Sequence, residues 1–324
     1  MIREIKLFAG RSNPDLAGRL SRELGIELGK ISITEFANGE IYVSYEETVR
    51  DADVFVFQTM CQPVNTNFME LCIMVDALKR ASAGRINVIM PYYGYSRQEK
   101  KHAPREPISA RMVADILQTV GAHRVISFDL HSPAIQGFFS IVLDHLTAYP
   151  LLRDYLRAEC IQDGVVIAAD AGGVKRAERL AMDLRLPLGV QYKRRPGHNE
   201  AEPSTFTGDV AGKTPIIIED MIDTGKSLLT AVETLVSLGA RPDIRVLATH
   251  ALFSGDAPLR LQHVAIREIV VTDTLPIPPA RRLPTMHILS IAPMLAAIVR
   301  NIHAGESISS VMANPKPDFI VETT

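Results

Sequence analysis

The segment with the strongest chemical signal is an apolar run that ends in acidic residues and a turn of small residues. Ile216–Ile218 is continuously apolar, Glu219, Asp220 and Asp223 follow it, and a Thr224-Gly225-Lys226-Ser227 turn opens a helical pattern. Backbone amides at a helix start, together with hydroxyl groups, form a cradle for phosphate. Carboxylates beside it would repel the anion unless they accept hydrogen bonds from a vicinal diol. A ligand that carries both groups is a sugar phosphate.

This segment has two other interpretations. Gly225-Lys226-Ser227 matches the end of a nucleoside-triphosphate P-loop, but that motif needs a glycine five positions before Gly225, where Asp220 stands. The P-loop is therefore excluded. A capped helix with a solvated acidic turn and no ligand stays open when the segment is considered alone.

Polar residues also follow two other predicted strands. Asp129 and His131 come at the end of Arg124–Leu130, where an extended chain places them on one face. Asp170 precedes Ala171-Gly172-Gly173, whose small residues admit a bulky ligand. One histidine and one aspartate are too few for zinc, which takes about three or four protein ligands, but they suit Mg²⁺, which keeps waters and binds substrate phosphates. A structural, hydrogen-bonded histidine is the alternative for His131.

Lys193 and Arg195 are two positions apart, so an extended segment would place both on one face and Arg194 on the other. Two cations on one face repel each other unless an anion lies between them. In phosphoryl transfer that anion is the reacting phosphorus group, whose charge is stabilised in the transition state. We therefore predict that Lys193 and Arg195 are catalytic, with a solvated basic turn as the alternative.

Two further segments have the residue types that bind a nucleotide. Phe36-Ala37-Asn38-Gly39-Glu40 combines an aromatic ring, an amide, a glycine turn and a carboxylate, which suits stacking on a purine and contact with its edge. Arg97 and Gln98 follow Pro91–Tyr95, where a guanidinium could hold a phosphate bidentately. An ordinary Asn-Gly turn and a surface arginine are the alternatives.

These segments lie among short β-branched runs that alternate with helical patterns. The predicted strands are Val54–Thr59, Ile86–Pro91, Arg124–Leu130, Val165–Asp170, Pro215–Asp220, Ile244–His250, Glu268–Asp273 and His287–Ile291. The predicted helices are Asn65–Ala83, Ile108–Val120, Tyr149–Cys160, Gly173–Leu184, Lys226–Leu238 and Ala292–His303. Such alternation indicates parallel sheets covered by helices, which bind ligands beyond the carboxyl ends of their strands. The expected fold class is α/β.

Length and charge limit the organisation and the partners of the chain. At about 150 residues per domain, 324 residues predict two domains. Because Ile141–Pro150 has no clean period, we predict domains at 1–148 and 149–312, a tail at 313–324, and a last helix able to pack back on the first domain. The net charge of −2 provides no global field for nucleic acid or an anionic membrane.

Cysteine usage and hydropathy predict a cytoplasmic protein. Cys61, Cys72 and Cys160 are odd in number and lie in apolar stretches, which suits free thiols in a reducing compartment. No run approaches the roughly 18 apolar residues of a membrane span.

The segment around Asp223 resembles the loop that binds phosphoribosyl pyrophosphate in phosphoribosyltransferases and in ribose-phosphate diphosphokinases. Further segments are similar to the ribose-phosphate pyrophosphokinase family in particular: Phe36–Glu40, Tyr92–Glu99, Asp129–His131 with Gln136–Phe139, and Lys193–Pro196. The similarity runs from about residue 5 to 312 and includes Ser82–Arg85 and Glu306–Ser309.

This resemblance implies two domains of phosphoribosyltransferase-like type, each a mostly parallel sheet flanked by helices. It implies that the anomeric hydroxyl of ribose 5-phosphate attacks the β-phosphorus of ATP, with Mg²⁺, to give phosphoribosyl pyrophosphate and AMP. A homo-oligomer, commonly a hexamer, would complete the ATP pocket across a subunit contact. The implied ligands of ribose 5-phosphate are Arg195, Glu219, Asp220, Asp223, Thr224, Gly225, Lys226 and Ser227. The implied ligands of ATP are Phe36, Asn38, Gly39, Glu40, Arg97 and Gln98.

The resemblance also implies a mobile catalytic loop and a regulatory site. The loop falls at Arg97–Pro107, with Lys100, Lys101 and Arg105 as cations and Ala103 where relatives often carry a basic residue. Glu219 stands where an Asp is usual, and Lys226-Ser227 where Gly-Thr is usual. The residues implied for a site where inorganic phosphate activates and ADP inhibits are Arg50, Ser82, Ser307 and Ser309, with Thr48 in place of a Ser. A polar helix end is the alternative for the two C-terminal serines.

Two rival functions stay open. A phosphoribosyltransferase would consume phosphoribosyl pyrophosphate and would have no use for nucleotide segments in a separate amino-terminal domain. A non-catalytic regulatory homologue would be expected to have lost its catalytic cations, whereas Lys193, Arg195, His131 and Asp170 are all present.

Overall fold

A computed structural model describes residues 3–159, 161–192, 205–313 and 320–321. Its contacts divide the chain into two compact units. The first unit comprises Met1–Thr147, Thr274–Pro276 and Ile291–Lys316, and the second comprises Ala148–Asp273, Ile277–Ser290 and Pro317–Thr324. The predicted domains follow chain order, whereas residues 291–316 belong to the first unit.

Strands and helices alternate along both units. In chain order the elements are β1 (Ile5–Ala9), α1 (Pro14–Leu24), β2 (Ile31–Glu35), β3 (Ile41–Tyr45), β4 (Asp53–Phe57), α2 (Val64–Arg80), β5 (Arg85–Ile89), α3 (Ser109–Val120), β6 (Arg124–Phe128), β7 (Val142–Leu146), α4 (Tyr149–Ala158), β8 (Gly164–Ala168), α5 (Val174–Leu184), β9 (Leu188–Tyr192), β10 (Thr205–Thr207), β11 (Thr214–Ile222), α6 (Lys226–Ser237), β12 (Ile244–Ala251), α7 (Ala257–Leu261), β13 (Ile266–Thr272), β14 (Met286–Leu289), α8 (Ala292–Ala304), α9 (Ser309–Ala313) and β15 (Ile320–Val321). Short 3₁₀ helices span Pro133–Phe138 and Pro279–Arg281.

The sheet of the first unit has the strand order β1, β4, β5, β6, β7, and each neighbouring pair is parallel. Every residue of β4 is buried, as in a strand covered on both faces. Helix α1 begins where the Asn13 side chain accepts from the Leu16 amide at 3.2 Å, and it ends at Gly25 in the left-handed conformation. Helix α8 packs against α1, and Arg300 donates to the Glu23 carbonyl at 2.8 Å.

Strands β2 and β3 form a separate antiparallel ribbon in the first unit. The ribbon packs on α2, where the Tyr45 hydroxyl donates to the Met74 carbonyl at 3.0 Å. Burial raises the pKa of Tyr45 well above its usual value, so this hydroxyl keeps its proton. Glu35 pairs with Ile41 at the end of the ribbon, and the connection between them is the turn Phe36–Glu40.

The sheet of the second unit has the order β10, β9, β8, β11, β12, β13, β14, β15. Each neighbouring pair among β9, β8, β11, β12, β13 and β14 is parallel. The edge strands β10 and β15 each pair antiparallel with their neighbour. Helix α6 buries Leu228, Ala231, Val232 and Leu235, which recur at helical spacing, in the core on one face of this sheet. This packing leaves Lys226 and Ser227, at the start of the helix, exposed.

The predicted α/β class is confirmed, and each predicted strand and helix overlaps an observed one. One expectation is wrong: Asp129 and His131 do not share a face of an extended strand. Strand β6 ends at Phe128, because Asp129 has a φ of 34°. The Asp129 amide donates to the Leu146 carbonyl at 2.9 Å and Oδ1 accepts from the Thr147 hydroxyl at 2.5 Å, which stabilises this unusual conformation.

Within the described ranges, no helix is long and apolar enough to cross a membrane. Cys61 and Cys72 are free thiols, and burial raises their pKa values to about 11 and about 12. Both are therefore protonated and unreactive at neutral pH. Cys160 lies outside the described residues.

Candidate active site

The acidic strand end and the small turn meet at the junction of β11 and α6. Asp220 is 7% exposed, whereas Thr224, Lys226 and Ser227 are exposed. Gly225 has a φ of 71°, a conformation that favours glycine, and α6 begins at the next residue. No side chain caps the first turn of α6 among the described residues. The amides of this turn therefore face an open position suited to an anion.

Two residues outside this turn donate hydrogen bonds to its backbone carbonyls. Arg260 of α7 donates through Nη1 to the Thr224 carbonyl at 3.0 Å. The Ser254 amide donates to the Asp223 carbonyl at 3.0 Å. The turn is therefore fixed before any ligand arrives, which reduces the entropy that binding would cost.

The carboxylates of Glu219 and Asp220 both approach Arg176, in the first turn of α5. Arg176 Nη1 lies 3.7 Å from Glu219 Oε2, and Nη2 lies 3.6 Å from Asp220 Oδ1. This arginine is not among the site residues predicted from the sequence. The signal that could have found it is a cation six residues after Asp170, in a helix that starts beside the predicted site.

The loop between β8 and α5 brings Asp170 to the same place. The Gly173 amide donates to Asp170 Oδ1 at 2.9 Å, and the Asp170 side chain is exposed. A Cβ atom on Gly173 would lie 3.9 Å from Glu219 Oε2, and one on Gly172 would lie 3.2 Å from Asp170 Oδ1. The glycines therefore leave the space between these carboxylates open. The structure thus brings together the predicted residues Asp170, Glu219, Asp220 and Asp223–Ser227.

The predicted purine-binding segment is a tight turn at the tip of the β2–β3 ribbon. The Phe36 amide donates to the Glu40 carbonyl at 2.8 Å, and the Glu40 amide donates to Asn38 Oδ1 at 3.2 Å. Gly39 has a φ of 88°. The Phe36 side chain is 56% exposed and rests on Tyr42, with ring centroids 5.9 Å apart. An exposed, supported aromatic ring is available for stacking on a base.

The predicted phosphate-binding pair Arg97 and Gln98 is exposed at the start of a loop in the same unit. The Ser109 hydroxyl, at the start of α3, donates to Gln98 Oε1 at 2.6 Å. Farther along, Glu106 accepts from the amides of His102 and Ala103 at 2.7 and 2.9 Å, and these bonds hold the pKa of Glu106 below its usual value. The Glu106 carboxylate therefore binds the backbone of this part of the loop, with Ala103 as a donor through its amide.

Of the three remaining residues predicted for the active site, the structure describes only His131. His131 is exposed, just after β6. Its neighbour Leu130 donates its amide to His145 Nε2 at 3.0 Å, and burial lowers the pKa of His145, which keeps that ring neutral as an acceptor. Lys193 and Arg195 lie outside the described residues.

Comparisons with known proteins decide the family. The model for the "N-terminal domain of ribose phosphate pyrophosphokinase" matches residues 5–121, and that for the "Phosphoribosyl synthetase-associated domain" matches residues 191–313. The ribose-phosphate pyrophosphokinase of Bacillus subtilis (strain 168) is 43% identical over 95% of this chain and 96% of its own. The ribose-phosphate pyrophosphokinase of Bacillus caldolyticus is 45% identical, and the match covers 94% of this chain and 97% of that protein.

A solved structure supports the same family. The phosphoribosylpyrophosphate synthetase of Mycobacterium smegmatis is 45% identical and has a TM-score of 0.90, with 94% of this chain and 100% of that chain covered. The chain belongs to the ribose-phosphate pyrophosphokinase family. This confirms the resemblance found in the sequence, whereas the roles of individual residues stay predictions.

The residues expected to form the regulatory site of a ribose-phosphate pyrophosphokinase lie in the first unit. Arg50 pairs with Ala83 in an isolated antiparallel bridge, and the Asp51 amide donates to the Ser82 carbonyl at 2.9 Å. The structure therefore brings Arg50 and Ser82 together. Ser307 and Ser309 also interact, because the Ser309 amide donates to the Ser307 hydroxyl at 3.3 Å.

A buried cluster connects the segments that carry these four residues. Asp53, 1% exposed, accepts from Arg85 Nε at 2.6 Å, from Arg85 Nη2, and from Asn87 Nδ2 at 2.8 Å, and its Oδ2 lies 2.8 Å from His303 Nδ1. Arg85 also donates to the Ile302 carbonyl at 3.2 Å. Burial acts to raise the pKa of Asp53, but the bonds from Arg85, His303 and Asn87 outweigh it and hold the pKa below its usual value.

This Asp53 cluster (Asp53, Arg85, Asn87 and His303) fixes the end of α8 to the starts of β4 and β5. Arg50 and Ser82 lie three residues before Asp53 and Arg85, and Ser307 lies four residues after His303. The cluster therefore limits how far the three segments can move apart. The cluster could not be predicted from the sequence, because its members are distant along the chain and carry no shared motif.

Proposed function

We propose that this chain is a ribose-phosphate diphosphokinase. It transfers the diphosphoryl group of ATP to the C1 hydroxyl of ribose 5-phosphate and forms phosphoribosyl pyrophosphate and AMP. The observation that carries this proposal is identity of 42–46% to ribose-phosphate pyrophosphokinases over 94–95% of this chain and 96–97% of theirs. No observation favours a phosphoribosyltransferase or a non-catalytic regulatory homologue.

Ribose 5-phosphate binds at the junction of β11 and α6. The turn Asp223–Ser227 holds the 5-phosphate through its amides and hydroxyls, at the start of α6. Glu219 and Asp220 accept hydrogen bonds from the ribose hydroxyls, since ionised carboxylates only accept. The geometry that supports these roles is the fixed turn with the two carboxylates directly before it.

ATP binds to residues of the first unit. Phe36 stacks on the base, and Asn38, Gly39 and Glu40 contact its edge. Arg97 and Gln98 hold the phosphates, with Lys100, Lys101 and Arg105 on the loop behind them. The exposure of Phe36 and of the Arg97-Gln98 pair supports these roles, since a ligand can reach both.

Lys193 and Arg195 act on the reacting group, and Arg195 also contacts the sugar phosphate. The anomeric hydroxyl attacks the β-phosphorus of ATP, and negative charge redistributes over the oxygens around the transferred group. Two cations beside the transferred group lower the activation barrier without forming a covalent bond to that group. Support for both residues comes from the sequence alone.

Mg²⁺ is the metal that fits the available ligands. Within the described ranges no three or more His, Cys, Asp or Glu residues cluster to hold an ion. The two predicted ligands, one histidine and one aspartate, suit Mg²⁺, which takes its remaining oxygens from water and phosphates. From the sequence, His131 and the exposed Asp170 are each proposed as a ligand of Mg²⁺, directly or through water. When bound, the ion neutralises part of the phosphate charge.

We expect His131→Ala and Asp170→Asn each to raise the Mg²⁺ concentration for half-maximal activity about tenfold. Each change removes an atom that orders the metal-nucleotide complex. Activity is measured against free Mg²⁺ with ATP and ribose 5-phosphate saturating. Asp209→Asn is the control, because Asp209 pairs with Lys213 at 2.8 Å on the surface of the second unit. Unchanged titrations in both test variants would remove the two residues from the site.

The enzyme is a homo-oligomer, commonly a hexamer in its family, and inorganic phosphate and ADP are its effectors. Arg50, Ser82, Ser307 and Ser309 form the effector site. One anion site shared by both effectors makes their competition a mass-action effect.

We expect Arg50→Ala to weaken activation by inorganic phosphate about tenfold in effector concentration. The non-competitive part of ADP inhibition falls with it, while the KM for ATP changes little, because the variant removes only the effector's cation. Arg22→Ala, at the exposed end of α1, is the control. Full retention of both effects in Arg50→Ala would show that the effectors bind elsewhere.

The products test the proposed activity. The purified chain is incubated with ATP, Mg²⁺ and ribose 5-phosphate, and each component is omitted in turn. AMP that forms only when the sugar phosphate is present is the expected result. A phosphoribosyltransferase would instead consume phosphoribosyl pyrophosphate with a base, and a non-catalytic homologue would form neither product.

A further inference from the structure

Arg176 occupies an unusual position between the two carboxylates at the end of β11. Its guanidinium nitrogens lie 3.7 Å from Glu219 Oε2 and 3.6 Å from Asp220 Oδ1. These are ion-pair distances, beyond the roughly 2.7–3.2 Å of a good N–H···O hydrogen bond. One cation therefore neutralises two carboxylates without being hydrogen-bonded along these two contacts.

One end of the Arg176 guanidinium is buried, although the side chain as a whole is 26% exposed. Its Nη1 atom is buried and has no hydrogen-bond partner within the described part of the chain. The side chains of Glu219 and Asp220 are only 18% and 9% exposed. A buried, unpaired donor on a cation requires an explanation.

We propose that Arg176 is a positioning residue for ribose 5-phosphate, which holds the Glu219 and Asp220 carboxylates in the orientation that accepts hydrogen bonds from the ribose hydroxyls. This inference rests on the proposed sugar site. A shift of about half an ångström to one ångström would bring Glu219 within hydrogen-bond length of Nη1. The missing bond then forms when the sugar orders the carboxylates.

The side chain of Glu219 explains why an anchor is needed. A glutamate has one more rotatable bond than an aspartate, so an unanchored Glu219 loses more freedom when it binds a ligand. Glu219 and Asp220 are neighbouring carboxylates, and a cation within 3.7 Å of both lowers the repulsion between them. The Arg176 charge reduces both effects in the free enzyme, and its hydrogen bond to Glu219 completes the anchor when the sugar binds. It does not contact the β-phosphorus of ATP in this role, so the chemical step is affected less than sugar binding.

The test compares Arg176→Gln and Arg176→Lys in the full-length enzyme. We expect the glutamine variant to raise the KM for ribose 5-phosphate about tenfold or more, with kcat and the KM for ATP within about threefold of wild type. The lysine variant keeps the charge and should show a smaller increase. Arg179→Gln is the matched control, since Arg179 lies one turn farther along α5, over the Tyr149 ring at 4.1 Å. If Arg176→Gln raised the KM for ribose 5-phosphate and the KM for ATP equally and also lowered thermal stability, Arg176 would have a structural role and the proposal would be overturned.

A double-mutant cycle with Glu219→Gln separates this inference from the sugar-site assignment. If Glu219→Gln leaves the KM for ribose 5-phosphate unchanged, the sugar site itself is wrong. If Glu219→Gln raises that KM and Arg176→Gln does not, only the positioning role is wrong. We expect the combined variant to raise the KM by less than the product of the two single effects, because the residues act as a unit. A KM increase equal to the product of the two single increases would show that the residues act independently and would overturn the proposed coupling. Should Arg176→Gln fail to fold, Arg176→Lys is measured in the same cycle.

Discussion

Replacing Lys193 or Arg195 by alanine is expected to lower kcat by about 10²- to 10³-fold while the protein stays folded. Each side chain is predicted to stabilise charge that develops around the transferred group, so the loss falls on the transition state more than on substrate binding. The KM for ATP should therefore change far less than kcat. Initial rates of AMP formation at saturating substrates, with circular dichroism as a check on folding, measure this.

Arg194→Ala is the matched control for both variants. In an extended segment Arg194 points away from its two neighbours, so its removal should leave kcat within about threefold of wild type. Near-normal turnover in both Lys193→Ala and Arg195→Ala would falsify the catalytic assignment. A loss in Arg194→Ala as large as in the other two would show that the whole basic segment acts as an electrostatic patch.

Asp53→Asn is expected to lower the free energy of unfolding by about 3 kcal/mol at neutral pH. The variant leaves the Arg85 charge without its buried partner and weakens the contact to His303. The value lies at the low end for a broken buried pair, because the Arg85 side chain is 32% exposed and water can partly solvate it. Urea unfolding followed by circular dichroism measures the difference.

The pH dependence of this effect has a definite sign. The pKa of Asp53 is lower in the folded protein than the roughly 3.9 of an unfolded aspartate. Its stabilisation is therefore present above about pH 4 and is lost as pH falls through the folded value. The difference between wild type and Asp53→Asn should shrink in acid. Asp76→Asn, which breaks an exposed pair with Arg80, is the control and should leave the free energy of unfolding nearly unchanged, because solvent screens that pair. A difference that does not vary with pH would contradict the assigned ionisation of Asp53.

Local patterns in the sequence were sufficient to predict the β11–α6 site. An apolar run buried on both faces must be an inner strand, and its polar residues must then lie at the carboxyl edge of a parallel sheet. Glu219, Asp220 and the turn at Gly225 therefore have to be neighbours. Asp170 follows the strand next to β11, so its approach to Glu219 could be predicted by the same reasoning.

Features that depend on contacts between distant segments could not be predicted in this way. Asp53 and His303 are 250 residues apart, and nothing in either segment specifies the other. Arg176 has an ordinary place in a helical pattern, and only the packing of α5 on β11 gives it two carboxylate partners. The conformation of Asp129 depends on bonds to Leu146, the last residue of β7, and to Thr147, which follows it, and the hydrophobic pattern did not reveal this strand.

The fate of the β-phosphorus of ATP tests the proposed activity most directly. The purified chain is given ATP labelled at the β-phosphorus, together with Mg²⁺ and ribose 5-phosphate, and the products are separated and counted. Diphosphoryl transfer predicts that the label moves to phosphoribosyl pyrophosphate and that an equal amount of unlabelled AMP forms. Label that stays on the nucleotide as ADP, with a single phosphate added to the sugar, would contradict it.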